Sequence, residues 1–346
     1  MLETIGYDPA MAGWAAAADT RLGRVVRVDR GVAGALTEEG PVRVSYGATV
    51  LAEMAADPVS APCTGDWCVL RAWPDRRTTL ETVLPRRTAV VRATAGEQSH
   101  GQVLCANIDY VAIVVSLQPA PVLARLERLL TLAWQSGAQP LVVLTKTDLV
   151  SDSEQIAEDV EAAAPGVEVI CASTVTGAGL GRLRELVDGR NTLALLGSSG
   201  HGKSSLTNAL VGTDVIATKE IREDGRGRHT SVRRELVVLP GGGAVIDTPG
   251  LRGIGLVPSE SLARTFADLD DLVARCRFAD CSHHGDPGCA VAEALAAGTL
   301  QQRRFESWQK LQREMDWMAA RKQARVRADR RKASRNAARE AGRGHR

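Results

Sequence analysis

The chain has 346 residues, enough for two or three domains, and 44% of them are hydrophobic but only 3% aromatic, so aliphatic side chains must do most of the packing. Its net charge of +2 hides a split: eleven Lys and Arg against Asp329 and Glu340 put +9 on residues 321–346, leaving −7 on the first 320. No apolar run approaches the roughly 18 residues of a membrane helix, residues 1–20 carry acids and no base, unlike a secretory leader, and an odd seven cysteines argue against a disulfide framework, so a cytoplasmic protein with no membrane contact is expected.

Residues 1–20 read as an alanine-rich extension of no evident use. From 21 to about 98, short apolar runs such as 24–28, 42–44 and 67–70 are separated by Gly, Pro and Asp, which predicts a small β-barrel. The nucleic-acid-binding OB fold is one such barrel, and an SH3-like barrel fits the spacing equally. Cys63 and Cys68 share a four-residue gap there with no third ligand nearby, and read as packing. Over 99–256 the pattern alternates. Strands are expected at 108–117, 141–144, 167–171 and 192–196. Helices are expected at 122–134, with Leu126, Leu129, Leu130 and Ala133 on one side, and at 153–164 and 180–187. Alternating strand and helix predicts an α/β domain on a mostly parallel sheet.

Within that domain, Thr145-Lys146-Thr147-Asp148 ends a strand and resembles the N-K-x-D base reader of GTPases, with Thr145 where Asn is usual. The resemblance implies that Asp148 accepts hydrogen bonds from guanine, a donor pair adenine lacks, and such a site discriminates strongly. Ser173-Thr174, followed by Gly177 and Gly179, resembles the loop that contacts the guanine oxygen. Gly197-Ser198-Ser199-Gly200-His201-Gly202-Lys203-Ser204 fits G-x-x-x-x-G-K-[ST] at every fixed position, between a strand and a helical run, with Ser205 next. The glycines let backbone N–H groups turn toward phosphates, the helix N-terminus adds its positive end, Lys203 supplies a point charge, and Ser204 is placed to bind Mg²⁺. In the basic stretch 225–231, Thr230 is the candidate second Mg²⁺ hydroxyl. Asp247-Thr248-Pro249-Gly250 matches the D-x-x-G switch, with Asp247 on Mg²⁺ and the Gly250 N–H sensing the γ-phosphate. Leu251 stands where a water-orienting glutamine is common, and His229 is the titratable candidate for that catalytic task. A P-loop ATPase or kinase, or an RNA-binding scaffold with a degenerate site, are the rival readings; the Thr145–Asp148 string argues against the first, and Lys203, Ser204 and Asp247 against the second.

The motifs occur in a permuted order, base reader before P-loop, which a cut and rejoining at exposed ends tolerates. The switch then leads directly into the C-terminal region. There, at 257–320, a mostly helical stretch encloses Cys276-x4-Cys281-x-His283-x5-Cys289, a donor set for tetrahedral Zn²⁺ in a closed structural site, with His284 as an alternative ligand. Phe305, Trp308, Leu311, Met315 and Met318 recur at helical spacing and read as core. The basic stretch 321–346 is either a solvated, disordered end or a contact for a polyanion.

Together these strings resemble the circularly permuted small-ribosomal-subunit biogenesis GTPases, the RsgA or YjeQ family. Gly65-Asp66-Trp67, Leu84-Pro85-Arg86-Arg87 and Ala106-Asn107-Ile108-Asp109 fit it as well. The resemblance implies an N-terminal OB barrel, a circularly permuted P-loop GTPase domain and a C-terminal zinc domain. It implies late assembly of the small subunit, with rRNA contact and ribosome-stimulated hydrolysis of GTP to GDP; a monomer is expected. It favours His283 over His284 as ligand and supports His229 in catalysis.

Overall fold

A computed structural model of the protein describes residues 1–93, 101–216, 234–251, 255–256 and 259–343. Five strands come first: β1 (Thr20–Asp29), β2 (Val32–Thr37), β3 (Gly40–Tyr46), then, after helix α1 (Ala48–Ala56), β4 (Trp67–Ala72) and β5 (Thr78–Val83). Pairing runs β1-β2-β3-β5-β4, and β4 returns to β1 from Thr20↔Arg71 to Arg24↔Trp67. The ring is therefore closed and leaves no free edge among these strands. Val25, Ala35, Val44, Cys68, Leu70 and Leu80 fill it, and Val50 of α1 joins the same core. This is the OB-type barrel, which settles the choice against an SH3-like one. Cys68 packs in its centre and Cys63 packs with Val103 and Ala106 in a neighbouring cluster; burial pushes both thiols well above their usual range.

A hairpin, β6 (Ala89–Ala93) and β7 (Gly101–Ala106), leads into alternating strands and helices: β8 (Tyr110–Ser116), α2 (Leu123–Gln135), β9 (Gln139–Thr145), α3 (Ser153–Ala163), β10 (Glu168–Ala172), α4 (Leu180–Val187), β11 (Gly189–Gly197), α5 (Lys203–Val211), β12 (Glu235–Val238) and β13 (Gly242–Asp247). Spatial order is β10-β9-β8-β11-β13-β12; the first five are parallel and β12 runs antiparallel to β13. Continuous apolar runs suit strands covered on both faces. Val111, Val114, Val143, Leu193, Leu195 and Val245 are all fully buried. Because the strands are parallel, the C-terminal ends of β8, β9, β11 and β13 share one edge, the edge at which such sheets bind ligands.

Barrel and sheet belong to one compact unit, Met1–Gly255. The three barrel strings singled out in the sequence meet where they join. Asp66 is fully buried and takes a two-pronged pair from Arg86, 2.8 Å at each oxygen. Asn107 donates to the Gly65 carbonyl at 3.1 Å and accepts from the Arg87 N–H at 3.0 Å. Gly65 has φ +95°, and a Cβ there would lie 2.1 Å from the Ala106 carbonyl oxygen, so only glycine fits. The extension takes part too. Leu2 and Ile5 are buried against β11 and β13, and Arg24 of the barrel, 1% exposed, donates to the carbonyls of Ile5, Gly65 and Asn107. Residues with no evident use in the sequence are thus part of the joint.

The second unit, Leu256–Arg346, contains α6 (Ser261–Thr265), α7 (Ala267–Ala274), α8 (Ala290–Ala296) and α9 (Gln302–Arg343). Phe305, Leu311 and Met315 of the periodic stripe are buried core while Trp308 and Met318 are half-buried at its margin, and Arg304 pairs with Asp268 at 2.6 Å to fasten α9 to α7. The described part of the basic stretch is not a disordered end. It continues α9, because Ala, Arg, Lys, Gln and Glu are strong helix formers and no proline interrupts them. Among the described residues no helix is long and apolar enough to cross a membrane.

Candidate nucleotide site and metal cluster

The glycine-rich loop leaves the end of β11 at Gly197 and turns into α5, whose first residue is Lys203. Lys203 is 6% exposed, and its ammonium donates to the carbonyls of Ser198 (2.7 Å) and Gly197 (3.2 Å). Burial brings its pKa down to about 8; the Arg125 charge adds to the fall and the Asp247 carboxylate opposes it. Ser204 donates its hydroxyl to Asp247 Oδ2 at 2.7 Å. Two residues far apart in the chain are thereby joined into one hard-oxygen pair of the kind Mg²⁺ takes. Asp247 ends β13, next to Leu195 of β11, and the following Thr248 donates to the Leu195 carbonyl at 2.6 Å. Gly250 comes so close to the P-loop that a Cβ would lie 2.4 Å from the Ser199 nitrogen. The D-x-x-G glycine is required there by contact with the phosphate loop itself.

The base-reader string begins at the end of β9. Lys146 takes a left-handed turn, φ 62°, that carries the chain off the sheet into the short turn Thr147–Leu149. Ser173, from the loop after β10, donates to Asp148 Oδ1 at 2.5 Å, while its own oxygen accepts the N–H groups of Val175 and Thr176. The two strings expected at the base therefore form one hydrogen-bonded unit. Thr145 is 4% exposed and donates to the His201 carbonyl at 2.8 Å. In place of the usual asparagine, a hydroxyl ties the base-reader strand to the phosphate loop. His201 Nδ1 lies 3.1 Å from the Val114 carbonyl, so that nitrogen carries the proton. Burial, with Lys203, Arg125 and Lys146 around it, holds the imidazole below its ordinary pKa. A cleft of about 370 Å³ beside the loop is lined by Thr174, Ser205, Asn208 and Asp214 among others. His229 and Thr230 lie outside the described residues.

Sequence reasoning missed three participants. Asn208 of α5 holds the chain leaving that helix, with Ile216 N–H to its Oδ1 at 2.9 Å and its amide to the Ile216 carbonyl at 2.7 Å. The Val114 carbonyl anchors His201. Arg125 of α2 donates to the Leu251 carbonyl. None stands in a motif, and only the hydrophobic face of α2, which fixes where Arg125 points, hinted at any of them.

In the second unit Cys276, Cys281, His283 and Cys289 come together, their ligand atoms all within 4.8 Å of one another. His283 Nδ1 is 3.6 Å from both Cys276 Sγ and Cys289 Sγ. A tetrahedron with Zn–S bonds of about 2.3 Å and a Zn–N bond of about 2.0–2.1 Å has S···N edges of about 3.6 Å, so the donor set and its spacing fit that ion. His283 reaches the cluster through a left-handed backbone, φ 61°, and rests against Trp308 and Phe305 of α9. His284 turns away: its Nδ1 meets the Ser282 carbonyl at 2.6 Å. The alternative ligand is therefore not in the cluster.

A P-loop after a central strand, a D-x-x-G switch on the neighbouring strand and a base reader earlier in the chain define a circularly permuted P-loop GTPase. The profile of the RsgA GTPase family matches residues 83–257. The chain belongs to that family. It is 47% identical over 339 residues to the small ribosomal subunit biogenesis GTPase RsgA of Streptomyces coelicolor, spanning 96% of this chain and 91% of the relative. It is 47% identical over 312 residues to the protein of the same name from Streptomyces avermitilis, spanning 89% and 83%. The crystal structure of YjeQ from Thermotoga maritima aligns with a TM-score of 0.61 at 26% identity, over 86% of this chain and 98% of that one. YloQ, described as a circularly permuted GTPase, shares the fold with a TM-score of 0.57 at 24% identity, over 86% and 95%.

Proposed function

We propose that this GTPase acts in late maturation of the small ribosomal subunit, hydrolysing GTP to GDP and phosphate with its nucleotide state coupled to binding and release of rRNA. The observation that carries the reading is the pairing of two bonds at one sheet edge, Ser204 with Asp247 and Ser173 with Asp148, one at the phosphate end and one at the base end. In this reading residues 197–205 wrap the phosphates and Lys203 neutralises the β- and γ-oxygens. Ser204, Thr230 and Asp247 hold Mg²⁺, and Gly250 reports the γ-phosphate. Lys146, Thr147 and Asp148, with Ser173 and Thr174, select guanine, and Thr145 joins their strand to the phosphate loop. His229 is the catalytic candidate. Cys276, Cys281, His283 and Cys289 hold one structural Zn²⁺ that shapes the C-terminal unit. The partner is the small subunit, a choice that the names of the relatives support; in this reading a monomer meets its rRNA in the cytoplasm.

The test is turnover of GTP and of ATP, each with and without purified small subunits. The expected result is GTP-selective hydrolysis that rises when subunits are added. ATP preference, or GTP turnover indifferent to subunits, would overturn the ribosomal reading.

A further inference from the structure

We propose that Arg125 is a positioning residue of the GTPase reaction, fastening the D-x-x-G switch to α2 and favouring the triphosphate-bound state over the diphosphate-bound one. The inference rests on the GTPase reading above. Arg125 lies in the first turn of α2 and donates from its guanidinium to the Leu251 carbonyl. Leu251 is 4% exposed, and its own N–H donates to the Gly197 carbonyl at 3.1 Å. The residue after the switch glycine is therefore gripped from both sides, by the P-loop through its nitrogen and by α2 through its oxygen. Gly250, one position earlier, is pressed onto the Ser199 backbone. The switch is thus tied to the P-loop at Gly250 and Leu251 and to α2 through Arg125.

The charge of Arg125 gives the grip a dependence on nucleotide. Its guanidinium is close enough to lower the pKa of both Lys203 and His201, so without phosphates the cations repel one another. A γ-phosphate adds negative charge beside Lys203 and turns that repulsion into shared attraction. The clamp is then more favourable with GTP than with GDP, and only such a difference shifts a conformational equilibrium. Arg125 Nε is buried without a hydrogen-bond partner, so the guanidinium keeps a donor beyond the one spent on Leu251. Leu251 has no group that could orient a water.

The experiment compares Arg125→Ala, Arg125→Lys and Arg125→Gln with the unmodified full chain. It reads Kd for GDP and for a non-hydrolysable GTP analogue, kcat and KM, and the melting temperature. For Arg125→Ala the affinity ratio should move toward GDP roughly tenfold, about 1.4 kcal/mol, with KM for GTP rising alongside the analogue's Kd and kcat falling as the switch loosens. Arg125→Lys, which keeps charge without the fork, should restore most of the ratio; Arg125→Gln, which keeps a donor without charge, should not. Equal weakening of both nucleotides with a lower melting temperature would mean a merely structural role and overturn the proposal, as would wild-type behaviour in all three. If Arg125→Ala does not fold, the Lys and Gln variants carry the same comparison. Failure of the GTPase reading itself would show in the unmodified chain, as absence of GTP turnover.

Discussion

The nucleotide site and the Cys3His cluster both depend on loops, but the loops are fixed by different means. Around the P-loop, strand ends and neighbouring loops supply the hold: Thr145 on the His201 carbonyl, Thr248 on the Leu195 carbonyl, and Leu251 on the Gly197 carbonyl. Beneath it lies a core that includes Val114, Val143, Leu195 and Val245. Between α7 and α8 no helix or strand intervenes, and few backbone bonds cross the turn, Arg277 N–H to the Gly288 carbonyl at 3.0 Å among them. There the four ligand side chains and the packing of His283 on α9 give the loop its shape. A ligand for the first site meets geometry already built, whereas an ion at the second site would be part of the fold.

The largest effect should follow from breaking the second site. Binding of structural zinc is folding free energy, about 10–16 kcal/mol in small zinc modules. Cys281→Ser, or a strong chelator added to the full chain, should abolish stoichiometric metal and melt the 276–289 turn with α8. Guanine-nucleotide affinity should stay within about twofold, since Met1–Gly255 has its own core. Metal analysis alongside far-ultraviolet circular dichroism melts would decide it. An unchanged melt after complete metal removal would mean that the loop, too, is held by the protein alone.

A smaller effect should expose the electrostatics stored in the first site. Lys203 has a pKa brought down to about 8 by burial. Phosphates favour the charged form, so nucleotide binding takes up a proton wherever the free protein has lost it. The sign follows: the Lys203 contribution to affinity is level below pH 7, where the group is charged in both states, and falls as pH rises through 8. At pH 9 GTP and GDP should both bind roughly tenfold more weakly than at pH 7, measured by titration calorimetry in two buffers of different ionisation heat. A flat profile to pH 9 would place the pKa near that of an ordinary lysine and remove the claim that burial primes this group.

What the sequence disclosed divides along the same line. P-loop, D-x-x-G and base reader were legible because each is a short string whose residue types are dictated by local backbone turns, and the cysteine spacing because tetrahedral chemistry demands it. The joint between barrel and sheet was not. Arg24 reaches Ile5, Gly65 and Asn107, and contacts at such separations leave no periodic trace. Leu2 and Ile5 were overlooked because two apolar residues in an alanine-rich stretch make no pattern. The helical run of α9 to Arg343 was obscured by charge: the net positive balance left a disordered end and a polyanion contact both open, while the helix propensity of the same residues decided the backbone. The OB barrel needed the observed β4–β1 closure, since strand spacing is shared by other small barrels.

Thr145 is the finest test of a prebuilt loop. A threonine where asparagine is usual suggests weaker binding of the base, yet its hydroxyl donates to the His201 carbonyl at 2.8 Å and leans on the glycine-rich loop. Its side chain is therefore placed to act on the loop more than on the base. Thr145→Val keeps the shape and removes the donor, taking the bond from the half-buried His201 carbonyl at a cost of about 1 kcal/mol. GTP and GDP should each bind about fivefold more weakly, with the preference for guanine over adenine unchanged because Asp148 and Ser173 are untouched. Competition titrations with GTP, GDP and ATP separate the two effects. If selectivity fell while overall affinity held, Thr145 would be reading the base, and the loop would owe its shape to the remaining bonds from Val114, Leu195 and Gly197.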